Sequence, residues 1–155
     1  MPGILVGVDG SDPSRRALAW AMQQAIQRKV PLTVMYVTQV QVRPATHIYW
    51  NMPTLPEGGL SAEQARESVQ AFVDQVGNEI GETVPEITIS AVIGDPAEEL
   101  VRAARDADLL VVGRRGGGGF RRLMMGSVSS KVTHHAACPV TVVPGSGEAS
   151  HGRAE

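Results

Sequence analysis

Three glycines and a serine in this chain stand at a spacing suited to holding a phosphate: Gly113, two residues, Gly116, nine residues, then Gly126 and Ser127. They lie in the stretch GRRGGGGFRRLMMGSVSSKV, which also carries Arg114, Arg115, Arg121 and Arg122. Glycines allow backbone N–H groups to turn toward an anion with no Cβ in the way. The helix predicted to begin near Ser127 adds free N–H groups and the positive end of its dipole. Ser127 and Ser129 add hydroxyl donors. Such a nest suits a polyphosphate. Two other phosphate loops are excluded, because the chain contains neither a Gly-Lys pair nor a GxGxxG run.

A glycine run by itself makes a flexible connector, so the surrounding elements decide its meaning. Short apolar runs read as strands: ILVGV (4–8), LTVMYV (32–37), ITISAV (87–92), LLVV (109–112) and VTVV (140–143). Between them lie helical patterns. Asp12 before Pro13 reads as an N-cap, followed by Leu18, Ala21, Met22, Ala25 and Ile26 on one face. Ala65, Val69, Phe72, Val73 and Val76 mark a second helix. Asp95, Pro96 and Glu98 open a third with a capping box, and the fourth runs from about Ser127 to His135. Residues 38–60, rich in Pro and Gly, read as an extended loop.

Strands alternating with helices imply an α/β fold, a five-stranded parallel sheet with helices on both faces. The third strand alternates apolar and polar residues, which suits a half-wet edge. With right-handed crossovers the order becomes 3-2-1-4-5, and its switch point falls between strands 1 and 4. Ligands of open α/β sheets bind there, outside the carboxyl ends of the strands. The glycine loop and VDGSDP (8–13) meet at that point.

The glycine spacing, between the fourth strand and the fourth helix, resembles the ATP-binding signature of the universal stress protein family. ILVGVDGSDPSRRALAWA, GDPAEELVRAARDADLLVVGRRG and GSVSSKVTHHAACPVTVVP resemble other parts of that family's pattern, so the likeness covers nearly the whole chain. The resemblance implies an adenine-nucleotide site. Gly113, Gly116, Gly126 and Ser127 match its phosphate and ribose motif. Asp9 matches the acidic position placed against the nucleoside, Val37 the position whose backbone reads the adenine, and Ser129 a Ser or Thr near the phosphates. ATP, with magnesium carried on its phosphates, is the cofactor the resemblance implies. A stress-response regulatory module is the expected role. A slow ATP hydrolase or phosphotransfer enzyme and a cyclic-AMP binder are the alternatives. The segment 43–58, with His47, Tyr49 and Trp50, departs from the pattern in a region that varies within the family.

Other candidates are weaker. Phosphoryl transfer needs carboxylates for metal and nucleophile, and only Asp9 and Asp12 stand near the switch point, so no catalytic residue is assigned. His134 and His135 are adjacent on a helix and face different ways, so no metal site is assigned. Cys138 before Pro139 reads as a small buried side chain. A formal charge of −2, with 43% hydrophobic and 19% charged residues, fits a globular chain and gives no sign of nucleic-acid binding. No apolar run is long enough to cross a membrane, Met1-Pro2-Gly3 is unlike a signal peptide, and one cysteine forms no internal disulfide; these features lead to an expectation of the cytoplasm. The domain is expected over 1–144, with a disordered polar tail at 145–155. The short, uncharged last strand, Val140–Val143, is expected to pair two chains into a homodimer.

Overall fold

Five runs of apolar sequence become β1 (Ile4–Val8), β2 (Leu32–Thr38), β3 (Ile87–Ile93), β4 (Leu109–Gly113) and β5 (Val140–Val143) in the computed structural model. The structure describes residues 2–38, 61–114 and 126–145. Within them the strands form one parallel sheet in the order β3-β2-β1-β4-β5, as the alternation of elements implied. β3 is the edge its half-wet pattern foretold, with Ile93 left 55% exposed.

Among the described residues, four α-helices cover the sheet: α1 (Asp12–Arg28), α2 (Ala62–Ile80), α3 (Pro96–Ala103) and α4 (Ser127–His135). Alternation along each strand divides its side chains between two cores. Ile4, Val6 and Val8 of β1 meet Leu18, Met22, Val69, Phe72 and Val76 from α1 and α2. Leu5 of β1 and Leu110 and Val112 of β4 meet Leu100 of α3 and Val132 of α4 on the other face. All five apolar residues marked on the second helix are buried, as are Leu18, Ala21, Met22 and Ala25 on the first. That double burial is why the central strands are nearly continuous in apolar residues.

Helix starts differ in detail from the sequence reading. Ser11, and not Asp12, is the N-cap of α1: its Oγ accepts from Ser14 N, which moves Asp12 into the first turn. Pro13 suits either placement, because the first-turn N–H groups have no partner within the helix. At α3, Asp95 Oδ2 accepts from Glu98 N at 3.0 Å, but the return bond from the Glu98 side chain does not form among the described residues. The complete reciprocal box sits at α2, where Ser61 Oγ accepts from Gln64 N and Gln64 Oε1 accepts from Ser61 N.

Candidate functional site

Parallel register brings the carboxyl ends of three strands to one rim. Val8 pairs with Tyr36, which sets Asp9 level with Val37. Val6 pairs with Val111, which sets the last residues of β1 and β4, Val8 and Gly113, side by side. The chain leaves β1 toward β2 on one side, while β4 lies on the other, so the crevice of the switch point opens here.

Asp9 is exposed and shapes the turn into α1. Its Oδ1 accepts from Ser11 N at 2.9 Å and from Ser11 Oγ. Gly10 takes φ +80° between them, a left-handed conformation that glycine adopts without strain. The Ser11 hydroxyl donates to Asp9 while accepting from Ser14 N, and Ser14 Oγ donates to Ser11 O at 3.0 Å. One carboxylate oxygen of Asp9 thus holds the turn. The other, Oδ2, has no partner among the described residues and is available as an acceptor.

Across the crevice, Gly113 presses on the first turn of α1. A Cβ built there would lie 2.6 Å from the Pro13 carbonyl carbon and oxygen and 2.8 Å from Ser14 N. No side chain fits between them. The next residue is pinned as well, since Arg114 N donates to Val143 O at 2.7 Å.

α4 supplies the third wall. Gly126 is its N-cap, in extended conformation, and Ser130 N makes the first helical bond to Gly126 O at 2.9 Å. A glycine cap has no side chain to satisfy the N–H groups of Ser127, Val128 and Ser129, so these donors suit an external acceptor. Ser127 is exposed at the helix start. Ser129 is buried and its Oγ donates to Gly113 O at 3.4 Å, which joins α4 to the end of β4.

The structure therefore brings Asp9, Val37, Gly113, Gly126, Ser127 and Ser129 to one rim of the sheet. Gly116, Arg115, Arg121, Arg122, His47, Tyr49 and Trp50 lie outside the described residues. Val37 is half-buried and packs toward the α3–α4 core. Sequence reasoning brought VDGSDP (8–13) to this point but passed over the capping role of Ser11 and over Ser14, although the polar cluster DGSDPS directly after an apolar strand was the signal. Among the described residues no group of three or more His, Cys, Asp and Glu is placed to hold a metal ion. His134 is exposed, and its Nδ1 lies 2.7 Å from Ser130 O within its own helix.

A parallel α/β sheet with a helix start beside its switch point is the frame of the doubly wound class. The universal stress protein family model matches residues 2–144, and the chain belongs to that family. A universal stress protein of Mycolicibacterium smegmatis is 35% identical over 155 residues, a match that takes in 96% of this chain and 50% of that protein. Universal stress protein YxiE of Bacillus subtilis is 32% identical over 145 residues, covering 90% of this chain and 97% of that one. The structure is also similar to a universal stress protein solved in complex with cAMP, with TM-score 0.62 and 26% identity over 92% of this chain and 95% of that chain. The chain spans about half the length of the first curated relatives it matches.

Proposed function

We propose that this chain binds an adenine nucleotide, ATP foremost, at the carboxyl rim of β1, β2 and β4, and acts as a nucleotide-dependent regulatory module in stress response. The observation that carries this reading is the opposition of two complementary walls. The Gly126-headed start of α4 offers backbone donors and a positive dipole end to phosphates, and Asp9 offers a free carboxylate oxygen to hydroxyl groups. Gly113 and Ser129 join the walls, and in this proposal the backbone of Val37, level with Asp9, reads the base. Gly116 completes the motif by the family resemblance. The ligand of the cAMP-bound relative supports an adenine nucleotide and makes cyclic AMP the second reading.

Magnesium, in this reading, arrives on the phosphates. Hydrolysis, if measured, should be slow, because Asp9 is half committed to its turn and no carboxylate cluster accompanies it among the described residues. No helix among the described residues is long and apolar enough to cross a membrane, and a cytoplasmic site of action fits that. The same reading includes a homodimer through β5, whose outer edge has no strand beside it among the described residues.

A thermal-shift titration tests the nucleotide. ATP should raise the melting temperature by mass action, cyclic AMP should compete with it, and adenosine should do much less. A melting curve unmoved by ATP from micromolar to millimolar concentration would exclude the reading.

A further inference from the structure

The sheet has two outer strands, β3 with seven residues and β5 with four. The register of β3 on β2 runs unbroken from Leu32–Ile87 to Thr38–Ile93. Leu32 N donates to Glu86 O and Gly94 N donates to Thr38 O, so the even-numbered residues here turn their backbone groups toward β2. Ile87, Ile89, Ala91 and Ile93 accordingly turn theirs outward, where no strand stands among the described residues. Edge strands are ordinarily blunted by a charge, a proline or a bulge. ITISAVI has none of these. It also carries the two large apolar side chains left exposed among the described residues, Ile87 at 37% and Ile93 at 55%. Both lie on the face of Ile89, which is buried in the core with Val69, Phe72 and Val76 of α2.

The surroundings select the charge of a partner. Between Arg66 and Arg102 the chain has eight acidic residues and no lysine, arginine or histidine, against a formal charge of −2 for the whole. Glu79 and Glu99 pair with Arg15 and Arg102. Glu82 and Glu86 before β3, and Glu98 in the first turn of α3 beyond it, are exposed and form no ion pair among the described residues. A second copy would bring the same acidic stretch against this one, and like charges across a strand pair are destabilising. We propose that the outer edge of β3 docks an extended basic peptide segment of another protein. The peptide backbone completes the ladder, alternate apolar side chains cover Ile87 and Ile93, and lysines or arginines at the ends meet Glu82, Glu86 and Glu98. This site is independent of the nucleotide reading.

The test uses the full chain and the fluorescein-labelled peptide Lys-Lys-Ile-Thr-Val-Thr-Ile-Lys-Lys, with a control in which every Lys is Glu. Fluorescence anisotropy at low salt should give a micromolar Kd for the basic peptide, rising at least about fivefold at high salt, and no binding of the acidic one. Amide hydrogen exchange then locates the contact. In the free chain Ile87, Ile89, Ala91 and Ile93 should exchange fast and Thr88, Ser90 and Val92 slowly; saturating peptide should slow the first set at least about tenfold. Ala91→Pro deletes one outward N–H, spares the bonds to β2, and should raise the Kd at least about tenfold, whereas Ala91→Ser should bind like the wild type. No binding of the basic peptide, equal binding of the acidic one, protection confined to other strands, or wild-type affinity in a folded Ala91→Pro overturns the proposal. So does an edge already protected in the free chain: protection that grows with protein concentration assigns it to a second copy, and protection that does not assigns it to the chain's own residues. If Ala91→Pro unfolds, the exchange pattern of the wild type still decides.

Discussion

A Cβ on Gly113 would lie 2.6 Å from the carbonyl carbon and oxygen of Pro13, although the two residues lie far apart in the sequence. Backbone atoms cannot rotate out of the way as a flexible side chain does. The end of β4 and the start of α1 therefore approach as closely as they do because position 113 has no side chain.

Gly113→Ala should force the two segments apart. Overpacking of this kind costs about 1–3 kcal/mol, so the urea midpoint should fall at an unchanged slope. ATP affinity should fall with it, since Asp9 and α4 take their places from the same contact. Wild-type stability in this variant would mean that the approach is looser than described.

The fold was legible because its signals are local and periodic. Ala65, Val69, Phe72, Val73 and Val76 lie on one helical stripe, and all five are buried. The alternation in ITISAV marked β3 as an edge. Details that depend on contacts distant in sequence were not legible. Gly113 reads as part of a ligand motif, and its packing on Pro13 becomes visible only when β4 and α1 are brought together. Ser11 and Asp12 are both good capping residues beside the same proline, and the choice between them belongs to Asp9, which grips Ser11. Ser129 is marked by its spacing after Gly126, but its bond to Gly113 O becomes visible only when α4 and β4 are brought together.

Asp9→Asn separates the two duties of that residue. The asparagine Oδ1 still accepts from Ser11 N and Ser11 Oγ, so the turn and the stability should survive within about 0.5 kcal/mol. The replaced Oδ2 becomes an N–H₂ donor and no longer accepts from a ligand hydroxyl. Hydrogen bonds to charged groups are worth about 1.5–3 kcal/mol, so the ATP Kd should rise roughly ten- to hundredfold. Calorimetry showing equal Kd values for the two proteins would remove Asp9 from the site.

Burial, the largest cause, raises the pKa of the Cys138 thiol above its ordinary value. Asp108 adds to the rise, while backbone hydrogen bonds at Leu110 and Cys138 oppose it. The folded chain therefore holds this proton more tightly than the unfolded chain. Its contribution to stability is complete below the unfolded value, about 8.5, and is lost as pH rises through the folded value. The urea midpoint should fall as pH rises from about 8.5 toward 10, with a smaller fall in Cys138→Ala. Iodoacetamide should also label the native thiol more slowly than the denatured one at the same pH. Identical pH profiles for wild type and Cys138→Ala would refute the assignment.

β5 offers a test of assembly that the side chains alone do not suggest. Leu110 N donates to Pro139 O and Arg114 N donates to Val143 O, so the odd-numbered residues here aim their backbone groups at β4. Val140 and Val142 accordingly turn theirs toward the outer edge. The side chain of Val142 packs on the α3–α4 core, so a lysine there would disturb that core along with any partner. A proline is the cleaner probe. Val142→Pro deletes one outward N–H and leaves the ladder to β4 intact, as prolines on edge strands do. Across a two-fold axis every such loss occurs twice, so a dimer joined by antiparallel β5 strands should dissociate. Val142→Ala keeps the N–H, trims the core, and should remain dimeric. Light scattering at micromolar concentration should give a dimer for the wild type and Val142→Ala and a monomer for Val142→Pro. A monomeric wild type, or a dimer that tolerates the proline, would place the contact away from this edge.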